Sequence, residues 1–97
     1  MITIRDADFK VITVLDTENQ IKTFDSLWKS KIKLDSPIKT RWLYKIDIED
    51  QDNRGGRWLY DKEGYIQLLD IFKQPTYKVR SADEFNSLIG IPNSNIK

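Results

Sequence analysis

The sequence has no cysteine and no histidine, and the two absences exclude whole classes of chemistry. Without histidine the chain lacks the base that titrates nearest neutral pH and the commonest transition-metal ligand. Without cysteine it has neither a thiolate nucleophile nor a disulfide. Zinc, haem and triad catalysis are excluded within these residues, and neither a cofactor nor a metal is expected. Glycine is scarce at four and proline at three, and the glycines form no phosphate-cradling loop. No apolar run reaches the ~18–20 residues a membrane span requires. The first fifteen residues do not read as a signal peptide either, because Arg5, Asp6, Asp8 and Lys10 interrupt them. The expectation is a cytoplasmic protein, or a periplasmic one if a leader has been removed.

Charge of one sign is also missing. Sixteen basic residues face fifteen acidic ones, a formal net charge of +1, so no long-range field draws the molecule to nucleic acid or anionic lipid. What is present suits one core: 39% hydrophobic and 11% aromatic residues within 97, close to the lower end of the usual domain range of about 100–150. A single domain over 1–97 is expected, with residues 91–97 as a frayed tail.

Hydrophobic period then assigns the elements. Ile2 and Ile4 alternate with polar neighbours and Phe9 to Leu15 is rich in β-branched residues, so two strands flank a break at Asp6 to Asp8. Thr17 and Gln20 form a capping-box pattern ahead of Ile21, Phe24, Leu27 and Trp28, which predicts a helix over about 17–31. Residues 32–39 read as a connector closed by Ser36-Pro37. Period two returns at Arg41, with Trp42, Tyr44, Ile46 and Ile48 on one face and Leu43, Lys45 and Asp47 on the other.

The segment Arg-Trp-Leu-Tyr occurs twice, at Arg41 to Tyr44 and at Arg57 to Tyr60. Residues 49–56, polar and ending in two glycines, read as the tip of a hairpin that joins the copies and sets the tryptophans opposite one another. Asp61 to Gly64 is a tight turn. Tyr65 to Phe72 is apolar on both sides and reads as a central strand covered on two faces. A short strand at Tyr77 and Val79 follows. Ser81 and Glu84 then suggest a second capping box on a helix over about 81–89, stopped by Gly90 and Pro92. The predicted architecture is α+β: a two-layer sandwich in which an antiparallel meander of about four to six strands carries both helices on one face. Leu43, Leu59, Tyr65, Leu69, Ile71, Tyr77 and Val79 are expected partly on the other face, as an apolar surplus.

Each candidate for chemistry has a plainer reading. Asp50, Asp52, Gly55 and Asp61 fall at the first, third, sixth and twelfth positions of a calcium-loop pattern, but Arg54 occupies the fifth, where a cation repels the ion. A solvated hairpin tip contains the same residue types. Arg41, Arg57 and the hairpin aromatics could stack on single-stranded nucleic acid, yet alternate aromatics on a strand ordinarily form a core face. Arg54 also opens a lone Arg-Gly-Gly triplet. Lys29, Lys31 and Lys33 could form a basic edge, although lysines also suit a helix C-terminus.

The leading expectation is a non-enzymatic binding domain of the inhibitor, immunity or adaptor kind. It would engage a protein partner or its own copy through the sheet face or the 49–56 tip, with Arg41, Arg57, Arg54, Asp50, Asp52, Tyr65 and Tyr77 as candidate contacts. The alternatives are single-stranded nucleic-acid binding by the hairpin, and a small ligand-binding or enzymatic domain using carboxylates such as Asp47, Asp61 or Asp70.

Overall fold

A computed structural model describes residues 1–35, 42–49, 56–70 and 74–92. In it the alternating N-terminal residues pair as an antiparallel hairpin of β1 (Ile2–Asp6) and β2 (Val11–Leu15). At its turn Asp6 Oδ1 accepts the backbone N–H groups of Asp8 at 2.9 Å and Lys10 at 3.0 Å. Helix α1 (Glu18–Lys29) starts at the capping box read from the sequence. Thr17 Oγ1 accepts the Gln20 N–H at 3.2 Å, and Gln20 Oε1 accepts the Thr17 N–H at 3.2 Å. The remaining elements are β3 (Ile32–Lys33), β4 (Tyr44–Ile48), β5 (Gly56–Tyr60), β6 (Tyr65–Leu68), β7 (Thr76–Lys78) and α2 (Ala82–Ile89).

The expected α+β architecture with an antiparallel sheet and two helices is present, with seven strands in the order β2-β1-β4-β5-β6-β7-β3. The additional strand is β3. Its residues were expected in a connector, but Ile32 pairs with Lys78 and Lys33 with Tyr77, and Leu34 donates to the Thr76 carbonyl at 2.8 Å. Two residues are too few for alternation to register in a sequence. β6 is shorter than expected: regular pairing ends at Leu68, and residues 71–73 lie outside the described set. Leu69 is 47% exposed, so apolar residues on both sides of this segment do not signal two covered faces.

The two Arg-Trp-Leu-Tyr copies behave as an antiparallel repeat must. Antiparallel pairing runs the copies in opposite directions, so at most one equivalent position can meet its counterpart. That position is the tyrosine: Tyr44 faces Tyr60, while Trp58 faces Ile46. The expected opposition of tryptophans does not occur, and Trp42 precedes β4.

Ile2, Ile4, Leu15, Ile46, Tyr60, Ile66 and Val79 are buried beneath Phe24 of α1 and Phe85 and Ile89 of α2. An aromatic seam joins the layers, with Phe24 to Phe85 at 5.4 Å, Tyr60 to Phe85 at 5.1 Å, and Trp28 edge-on to Trp58 at 5.0 Å between ring centroids. Tyr77 and Val79, expected on the far face, lie on this one. Tyr77 is opposite the buried Ile66, and directly paired residues share a face.

Helix α2 departs from expectation at its start. Ser81 is the N-cap, but at φ −123° and ψ 88° its side chain makes no capping hydrogen bond, whereas Thr17 caps at ψ 154°. The second capping box is therefore absent. At the other end Gly90 adopts φ 78°, and a side chain there would collide with the Thr13 hydroxyl, so glycine is required both for the left-handed cap and for the approach to β2.

Candidate interaction surface

Every strand residue that alternates with the core faces away from the helices, and no described element packs on that side. At one end of this open face the sheet order brings together side chains far apart in sequence. Asp47, near the end of β4, receives Arg5 Nε from β1 at 2.9 Å, and from β5 Arg57 Nε at 2.6 Å and one Arg57 terminal nitrogen at 3.1 Å. Burial pushes the Asp47 carboxyl up, but the hydrogen bonds and charges of Arg57 and Arg5 outweigh it and hold the group below its ordinary value. The reciprocal effect raises Arg57. A carboxylate held ionised between two guanidiniums is a structural anion, poorly suited to proton transfer at neutral pH.

Beside this clamp stands Phe9, in the β1–β2 turn. Its backbone adopts φ 66°, the left-handed region that residues other than glycine rarely occupy, and it is 49% exposed. Two contacts hold it there: the Phe9 N–H donates to the Asp6 carbonyl at 3.0 Å, and its own carbonyl accepts from a terminal nitrogen of Arg5 at 3.1 Å. Lys45 Nζ lies 4.3 Å from the ring centroid and the Arg57 guanidinium carbon 5.2 Å. Such cation–π contacts contribute roughly 0.5–1 kcal/mol each where exposed. The result is a projecting aromatic ring flanked by Arg5, Lys45 and Arg57, with Asp47 as the countercharge.

The second cluster of aromatics belongs to the helix face and is already filled. Lys31, just beyond α1, places Nζ 4.8 Å from the Trp28 ring centroid, 5.6 Å from Tyr77 and 5.9 Å from Trp58, and donates to the Trp28 carbonyl at 3.3 Å. Desolvation lowers the Lys31 pKa, and the nearby Asp25 partly opposes it. Lys29 forms an ion pair with Asp25 at 2.8 Å. The three lysines thus do not act as one basic edge: one is paired, one sits in an aromatic cage, and Lys33 lies on β3.

Of the residues singled out in the sequence, Arg57 lies in the clamp. Tyr65 lies on the open face with Lys78 Nζ 5.3 Å from its ring centroid. Tyr77 lines the cage of Lys31. Arg41, Asp50, Asp52 and Arg54 lie outside the described residues, as does most of the 49–56 tip. Of the hairpin aromatics that would have stacked on bases, Tyr44, Trp58 and Tyr60 pack with the core beneath the helices; Tyr60 is fully buried and donates its hydroxyl to Asn86 Oδ1, while Asn86 Nδ2 donates to the Lys62 carbonyl at 2.7 Å. Phe9, Arg5 and Lys45 were not among the candidates. The available signal was a large aromatic inside an Asp-Ala-Asp-Phe turn, where exposure is the rule.

Among the described residues no group of three or more acidic, histidine or cysteine side chains could hold a metal ion, and no helix is long and apolar enough to cross a membrane. Comparison with protein-family models, with curated proteins and with solved structures found no match.

Proposed function

We propose that this chain is a non-enzymatic protein-binding domain whose contact surface is the open sheet face centred on Phe9. The observation that carries the reading is Phe9 itself, a half-exposed aromatic held at positive φ by the Asp6 and Arg5 contacts. Left-handed backbone costs a non-glycine residue on the order of 1–2 kcal/mol. Exposing the ring forgoes burial as well. A fold that maintains both is holding the ring ready for a socket elsewhere, and exposed aromatics with neighbouring arginines are the residue types that dominate binding hot spots. Arg5, Lys45 and Arg57 around the ring favour a partner whose socket has an acidic rim. The Asp47 clamp fixes two of these cations before binding and so lowers the entropic cost of ordering them.

The test is retention of a partner from native-source extract on immobilised protein, comparing wild type with Phe9→Asp and with the open-face control Tyr65→Ala. The expected result is a protein retained by wild type and by the control but lost with Phe9→Asp, whose melting temperature stays at or above that of wild type. A partner retained equally by all three, or one released by nuclease treatment, would reject the reading.

A further inference from the structure

We infer that Trp28, Trp58 and Tyr77 form a binding cage for a methylated ammonium group, which Lys31 occupies as an exchangeable internal stand-in. The cage is built across the two layers. Trp28 comes from the last turn of α1, Trp58 from β5 and Tyr77 from β7. The two indoles meet at 88° with centroids 5.0 Å apart, and Tyr77 supplies a third ring. Lys31 Nζ lies 4.8 Å from the Trp28 centroid, 5.6 Å from Tyr77 and 5.9 Å from Trp58, inside the range over which a ring face attracts a cation. The rings are fixed independently of the lysine. Trp28 stacks on Phe24 at 5.2 Å and 20°, and strand pairing holds the other two opposite Ile46 and Ile66. All four residues are half-buried, so the cage reaches solvent.

A primary ammonium suits this setting poorly, because it is compact and strongly hydrated and gives up water on entering. Desolvation accordingly lowers the Lys31 pKa, and the attraction of Asp25 does not offset it. Asp25 is engaged elsewhere, paired with Lys29 at 2.8 Å, and Lys31 has no ion pair among the described residues. Trp58 also keeps its Nε1–H buried with no acceptor, although a buried indole N–H usually finds one. A methylated ammonium keeps the charge, loses less hydration and turns methyl groups to the rings. A ligand that carries an oxygen near that cation, in a peptide carbonyl or a carboxylate, can supply the acceptor that Trp58 lacks.

Release of the lysine costs the fold little. Its Nζ donates to the Trp28 carbonyl at 3.3 Å, and the same carbonyl accepts the Lys31 backbone N–H at 3.2 Å, so it stays paired when the side chain swings out. Lys31 covers the rings until a better cation arrives, and it reduces the apparent affinity by the fraction of molecules in which it is seated. The cage lies on the helix side of the sheet, apart from the Phe9 surface.

The test is a titration with tetramethylammonium chloride from about 0.1 to about 100 mM, spanning millimolar affinities, against sodium chloride of equal strength. The indole N–H resonances of Trp28 and Trp58 report it. Saturable shifts of both are expected in wild type, with the Lys31 Cε signal losing its ring-current shift as the side chain leaves. Lys31→Gln removes the competing charge and should bind at least about fivefold more tightly, whereas Tyr77→Ala removes a wall and should bind about tenfold more weakly. Phe9→Asp should bind as wild type does, so failure of the partner surface and failure of this site are read apart. Choline and Nα-acetyl-trimethyllysine amide then distinguish a free small molecule from a methylated protein as the source, by which of them binds more tightly. Should Lys31→Gln lose its cooperative melt, the wild-type titration decides alone. Absence of a saturable shift, an equal response to tert-butanol, which has the shape without the charge, or tighter binding by wild type than by a folded Lys31→Gln would each overturn the assignment.

Discussion

The two faces of the sheet are built on opposite principles from the same strands. The helix-covered face is apolar, continuous and tied by one buried hydrogen-bond chain, in which the Tyr60 hydroxyl reaches Asn86 and Asn86 reaches the Lys62 carbonyl. On the open face the organising feature is a half-buried carboxylate between two arginines, with an exposed ring beside it. Burial dominates the energetics of the first face, and screened electrostatics those of the second. Removing one side chain should therefore be costly on the first face and cheap on the second, where the consequence falls on binding.

Phe85→Ala should break the covered face most severely. The ring is fully buried and meets Phe24, Trp28 and Tyr60, and buried phenylalanine truncations cost about 3–5 kcal/mol. Chemical denaturation should show that loss as a lower midpoint at unchanged slope. Next comes Tyr60→Phe. It leaves the Asn86 carbonyl oxygen buried and unpaired, at about 1–3 kcal/mol, and a thermal melt should fall by about 4–8 °C per kcal/mol for a chain of this size.

The same tyrosine gives the covered face an alkaline limit. Burial, and then the charges of Asp61 and Asp83, push the Tyr60 hydroxyl well above its ordinary value of 10.0. A folded pKa above the unfolded one means a contribution fully present below pH 10 and lost as pH rises beyond it. The stability difference between wild type and Tyr60→Phe should shrink accordingly above pH 10, and a constant difference would contradict this.

On the open face the effects are smaller and lie at the acid end. Asp47→Asn should cost no more than about 1 kcal/mol near neutral pH, because its arginine partners are partly exposed and screened. Here the folded pKa is depressed below the ordinary 3.8. The contribution is therefore present above that pH and disappears as pH falls through the folded value, so wild type and variant should converge in urea midpoint at strongly acid pH. The smallest effect has the opposite sign. Phe9→Gly relieves the positive φ and should leave stability unchanged or raise it by up to ~1 kcal/mol in the same titration, while abolishing partner retention. A clear destabilisation would mean that Phe9 is structural and would erase the contrast between the faces.

Much of the covered face was legible because local rules specify it. Thr17 and Gln20 announced the start of α1, Gly90 the end of α2, and the alternation of Tyr44, Ile46 and Ile48 the inner side of β4. Less of the open face could be read. Arg5 and Asp47 are 42 residues apart, and no periodicity within either strand says that β1 will lie beside β4 rather than at the margin of the sheet. Tyr77 was misplaced for a related reason: a three-residue strand has too few alternations to fix its face until its register with Ile66 is known. The doubled Arg-Trp-Leu-Tyr segment was conspicuous in the sequence, yet register decided its meaning. Trp58 went into the aromatic seam, Tyr60 into the buried hydrogen-bond chain, and Arg57 to the open face.

By itself the sequence determined which chemistries are closed to these residues, where the helices begin and end, and the α+β class, because composition, caps and hydrophobic period act over a few residues. Tertiary structure alone decided that β1 lies between β2 and β4, that two arginines converge on Asp47, and that Phe9 is held outward beside them. Those depend on strand order and register, which are set by how distant segments bury their apolar faces together.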